Sequence, residues 1–121
     1  MGCALTQALN ADAVQRTAAI RAKNDTFRSR LVGERVMLTQ GVNALAENAR
    51  RSVIRAVQAF DDFSPGNDPY GEHDFGAVTV HDTVFFWKID YYDRDLQNGS
   101  PDPADAALTC RVLTIMLAEE Y

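Results

Sequence analysis

Residues 75–92 constrain the fold of this chain more than any other stretch. Apolar and polar side chains alternate through 75–80 and again through 83–92, with His81-Asp82 between them. A period of two puts successive side chains on opposite faces, so the pattern predicts a β-hairpin with a two-residue turn. In that register Val80 faces Thr83 and Val78 faces Phe85. Val78, Val80, Phe85, Trp87 and Ile89 then share the core face, and Thr79, Phe86, Lys88 and Asp90 share the other.

The flanks are organised around this hairpin. Val14, Ala18, Ile20, Phe27 and Leu31 mark a helix over residues 11–30, with Asn10 or Asp12 as its cap. Its arginines fall outside the apolar stripe and are expected on a solvated face. Residues 35–40 read as a short strand ended by Gly41. Leu45, Ala49, Val53, Ala56, Val57 and Phe60 recur at helical spacing, which predicts a helix over 43–61 capped by Asn43. Ser64 to Gly71 contains two prolines and two glycines and must be a loop. A last helix is expected over 103–119, with Asp102 as cap and Pro103 at its first position; Cys110 would be a small core residue in it. The predicted fold is α+β, order α-β-α-β-β-α: a small antiparallel sheet of about three strands packed against three helices. A chain of 121 residues is expected to make one domain, 1–121, with residues 1–10 disordered.

Composition narrows the function classes. No apolar run approaches the ~20 residues of a membrane helix, and no signal-peptide core opens the chain. Cys3 and Cys110 have neither metal-ligand nor CxxC spacing, so a cytoplasmic protein is expected. The net charge of −5 conceals a split: residues 1–60 hold nine Lys/Arg and four Asp/Glu, while 61–121 hold three and thirteen. The halves either interleave on folding or present two surfaces to different partners. Nine of the 11 aromatics and nine of the 17 carboxylates fall within 60–95.

Within that segment Glu72-His73-Asp74 offers two acids and an imidazole, and Asp90 lies at the far end of the partner strand. Convergence of Glu72, His73, Asp74 and Asp90 would suit acid–base chemistry or a weak metal site. Hydrogen bonding at a strand end is the competing explanation. No cofactor and no metal centre is expected, since phosphate loops, zinc ligand sets and nucleophile elbows are all missing. Tyr70, Tyr92, Asp93 and Asp95 combine ring and charge in the manner of recognition surfaces, which suits a partner with a basic surface. The arginines of the first half offer an alternative nucleic-acid contact.

The motifs DPYGEHDFG (68–76), FFWKIDYYD (85–93), SPDPAD (100–105) and RVLTIMLAEEY (111–121) resemble a family of small bacterial proteins of unknown function, found on chromosomes and conjugative plasmids. The resemblance covers roughly residues 17–121 and is most specific over 61–93. It implies a bacterial, cytoplasmic protein of mobile-element origin, and no activity or catalytic residue. Analogy with small acidic proteins in that setting suggests an inhibitor of host-defence machinery, of anti-CRISPR or anti-restriction type. The leading expectation is therefore a non-enzymatic protein-interaction module. A small hydrolase-like or metal-binding enzyme and a nucleic-acid binder are its rivals.

Overall fold

The computed structural model describes the backbone of residues 2–121 and the side chains of residues 11–121. A long helix α1 (Gly2–Arg30) is followed by strand β1 (Arg35–Leu38), a single-turn helix α2 (Gln40–Asn43) and helix α3 (Glu47–Gln58). Strands β2 (Phe75–Val80), β3 (Thr83–Tyr92) and β4 (Cys110–Leu117) complete a four-stranded sheet of order β1-β4-β3-β2. The sheet is mixed: β4 runs parallel to β1 and antiparallel to β3.

The hairpin forms in the register that its alternation dictates, with Val78 opposite Phe85 and Val80 opposite Thr83. His81 and Asp82 both adopt positive φ, 50° and 64°. Two consecutive left-handed residues make the turn whose twist matches the flanking strands. Phe85, Trp87 and Ile89 are buried on the inner face. They meet Phe27 of α1, Val42 of α2, Val53 and Val57 of α3, and Leu113 and Ile115 of β4. All three helices thus pack on one face of the sheet.

Several expectations require correction. The helix over 103–119 is replaced by a short 3₁₀ turn at Ala106–Leu108 and by strand β4, so the sheet has four strands and is mixed. The run Val112–Leu117 is apolar except for Thr114, a pattern shared by buried helices and buried central strands. Its β-branched Val112, Thr114 and Ile115 favour the strand. Burial then alternates, with Arg111, Leu113 and Ile115 buried on the helix-facing side. Cys110 accordingly opens a strand and is only half-buried. Asn43 ends α2 and does not cap α3, whose N-cap is Ala46.

Helix α1 carries Asn10 and Asp12 in its interior and buries Ile20, Asn24, Phe27 and Arg28, leaving Val14 exposed. It stops at Leu31, whose φ of 55° turns the chain and lets its N–H donate to Phe27 O at 2.6 Å. One left-handed residue there closes the last turn of the helix.

Gly76 admits the core's largest side chain. A Cβ at this position would collide with the Trp87 indole and lie 2.7 Å from Phe60 Cζ. Phe60 and Phe63 pack edge-on to Trp87, with centroids at 5.5 and 6.5 Å. Gly76→Ala is expected to lower unfolding stability by about 1–3 kcal/mol through overpacking, read as a lower urea midpoint.

Candidate functional site

One end of the sheet gathers the starts of β1, β2 and β4 and the end of β3, together with the loops 59–74 and 93–109. The polar side chains of interest meet there, on the inner face and against α1.

Asn24 is the hub. It is fully buried, and its amide nitrogen donates to Glu72 O at 3.0 Å and to Tyr91 Oη at 2.8 Å. Its Oδ1 accepts from Arg111 Nε at 2.8 Å. Tyr91 Oη in turn donates to Glu72 Oε1 at 2.8 Å. Burial holds the Tyr91 phenol protonated well beyond its ordinary range, with Glu72 contributing. The Arg111 guanidinium lies 5.2 Å from the centre of the Tyr91 ring, and desolvation lowers its pKa.

His73 heads a second cluster. It adopts φ 57°, which turns its ring back between loop and helix. Its Nδ1 lies 2.8 Å from Asp25 Oδ1 and its Nε2 lies 3.4 Å from Asp68 Oδ2. The shorter of these contacts, to Asp25, has hydrogen-bonding geometry. Asp25 Oδ1 also accepts from Arg28 Nη1 at 3.0 Å. The ring stacks on Phe63 with centroids 3.5 Å apart, and Arg28 covers Phe63 and Trp87 at 5.0 and 5.3 Å. Arg28 is therefore buried and corrects the expectation of a wholly solvated basic helix face.

The four residues singled out for chemistry part company. Glu72 belongs to the Asn24 network and His73 to the aspartate cluster. Asp74 carries a raised pKa because burial disfavours its charge, and Glu72, Asp68 and Asp90 add repulsion. Asp90 projects on the opposite face of the sheet, where it pairs with Lys88 at 3.0 Å. No group of three or more His, Cys, Asp or Glu side chains among the described residues is placed to hold a metal ion. The chemistry these side chains display is mutual hydrogen bonding and ion pairing.

Of the residues expected at a partner surface, Tyr70 is 79% exposed and Asp95 is exposed. Tyr92 lies on the uncovered sheet face and bridges to Gly99. Asp93 staples its own loop: its Oδ1 accepts from Gln97 N at 3.0 Å, and that bond holds its carboxyl below the usual range.

Asn24, Asp25, Asp68 and Arg111 carry this end of the molecule and stand outside the sequence-based candidates. Asn24 had a local signal, since Ile20, Asn24, Phe27 and Leu31 follow the spacing of one helical face. A polar residue on an apolar stripe is a buried hydrogen-bonding group. The charge split also resolves in part: Arg16 pairs with Asp102 at 2.8 Å and Arg21 donates to Gly71 O at 3.0 Å, so the basic and acidic halves interleave.

Asp74 yields a pH prediction. Its folded pKa lies above its ordinary 3.8, so the folded chain binds the proton more tightly than the unfolded chain. Stability from this group is present at low pH and is lost as pH rises through the folded pKa. Asp74→Asn is expected to raise the urea midpoint at neutral pH relative to wild type. The difference should shrink as pH falls below the folded pKa toward 3.8.

Residues 38–120 match a protein family described as Protein of unknown function (DUF3768). That region takes in the loop 59–74, the hairpin and all of β4. The chain matches no curated protein and no solved structure.

Proposed function

We propose that this chain, which belongs to the DUF3768 family of proteins of unknown function, is a non-catalytic protein-binding module for a partner with a basic surface. The observation that carries the reading is Tyr70: a large ring, 79% exposed, on a loop that is pinned from several sides.

The pins are specific. Ser64 O accepts from Asn67 N at 3.0 Å and from Asp68 N at 2.8 Å. Asn67 Nδ2 donates to Asp62 Oδ2 at 2.9 Å. Asp68 Oδ1 accepts from His73 N at 3.2 Å, and Arg21 holds Gly71 O from α1. Pro65 and Pro69 remove further backbone freedom. A ring held out by a rigid loop loses little entropy on binding, and Tyr is among the residues that anchor interfaces. Asp61, Asp62 and Asp95 are exposed in the loops at the same end of the sheet and supply negative charge. Such charge steers a basic partner and discourages nucleic acid.

The same geometry weakens the enzymatic reading. Glu72 Oε1 is engaged by Tyr91, the His73 ring lies between Asp25 and Asp68, and Asp90 pairs with Lys88 on the other face. Blocking a host-defence complex is one role open to such a module.

Immobilised wild-type chain is expected to capture a basic protein from a lysate of its native host. Tyr70→Ala combined with Asp95→Lys should reduce that capture at least about tenfold, because interface anchors carry most of the binding energy. Thr79→Lys, at the far end of the hairpin, should leave it unchanged. Capture that survives Tyr70→Ala and Asp95→Lys intact would contradict the reading.

A further inference from the structure

A concavity of about 370 Å³ opens between α1 and the segment that leads into β4. Its wall is mostly apolar, with Ala22, Phe27, Val32 and Ala106 joined by Thr26. Three charged side chains reach it, Lys23, Glu34 and Arg111. Its volume falls within the range of about 300–1,000 Å³ usual for small-molecule sites, and a few polar groups on an apolar wall are the usual lining.

Arg111 is the informative member. It is 1% exposed, yet its guanidinium forms no ion pair among the described residues. Its Nε and Nη2 donate to neutral acceptors, Asn24 Oδ1 at 2.8 Å and Pro103 O at 2.6 Å. Nη1 donates to no described acceptor and is not among the sealed, unpartnered donors, which are Arg28 Nε and Trp87 Nε1. A buried cation without a counter-ion is costly, and a guanidinium suits a carboxylate in particular. Glu34 offers only partial compensation: its Oε1 accepts from the backbone N–H of Arg111 at 3.3 Å. With Lys23 and Arg111 against Glu34, the lining carries one excess positive charge.

We propose that this concavity is a binding site for a small monocarboxylate with an apolar body, its carboxylate on Arg111 Nη1 and Lys23 and its body against Phe27, Val32 and Ala106. One negative charge balances the lining, and the apolar wall takes the rest of the ligand. The site draws on α1, the turn at Gly33 and the start of β4, and is separate from the Tyr70 loop.

Benzoate is a suitable probe. Titration of the 121-residue chain with sodium benzoate, followed by the amide resonances of Thr26, Phe27 and Ala106, should saturate. Benzamide, its neutral isostere, should bind at least about tenfold more weakly, since the charge contact is lost. Lys23→Gln should weaken benzoate several-fold. Replacing Arg111 would break the Asn24 network, so Thr26→Trp, at an exposed position on the wall, is the blocking variant; it should abolish binding with an unchanged circular dichroism spectrum. No saturable shift with benzoate, equal binding of benzamide, or undiminished binding to a folded Thr26→Trp chain would each overturn the proposal.

Discussion

The buried amide of Asn24 is the interaction on which this end of the fold depends. Its three hydrogen bonds tie α1 to the loop before β2, to Tyr91 on β3 and to Arg111 on β4. Each partner is distant in sequence, Arg111 by 87 positions. Removing the amide would leave Tyr91, Arg111 and a loop carbonyl short of partners in a desolvated setting, where unsatisfied groups are expensive. Burial of apolar surface, which holds the helices on the sheet, is non-directional. The Asn24 network adds directional bonds that fix where α1 meets the sheet.

From that constraint the neighbouring chemistry follows. With α1 fixed, Asp25 reaches the loop and holds His73, Arg28 pairs with Asp25 and covers Phe63, and Phe63 stacks on the imidazole. The Tyr70 loop therefore rests on a cross-linked base. The opposite end of the sheet is tied separately by Glu120, whose carboxylate accepts from Thr39 Oγ1 at 2.6 Å, Gly41 N at 3.0 Å and Leu117 N at 2.8 Å. Those bonds, with Thr39 foremost, hold the Glu120 carboxyl below its usual range. The sheet face away from the helices keeps an aromatic trio, Phe75, Phe86 and Tyr121, beside the Lys88–Asp90 pair.

What was legible in the sequence is what local periodicity encodes. The hairpin, its turn at His81-Asp82 and its two faces follow from alternation, and the Val53 and Val57 face of α3 follows from helical spacing. The role of Val112–Leu117 was not legible, because an apolar run in a central strand carries no period of its own. The parallel pairing of β1 with β4 joins Arg35 to Val112 across most of the chain, and no local pattern reports it. The site divides likewise. Tyr70 stands out in a proline-rich loop, whereas Asn24 and Arg111 acquire meaning only when α1 lies across the sheet. Asp90 misled because it is near Glu72 in strand register but projects from the other face.

The central claim is that Asn24 and Arg111 act as one buried unit joining α1 to the sheet. A double-mutant cycle on unfolding free energy, with Asn24→Ala, Arg111→Met and the pair, tests it most directly. Coupled buried partners show interaction energies of about 0.5–3 kcal/mol, so the double variant should lose less stability than the two single losses combined. Strict additivity of the two substitutions would contradict the account.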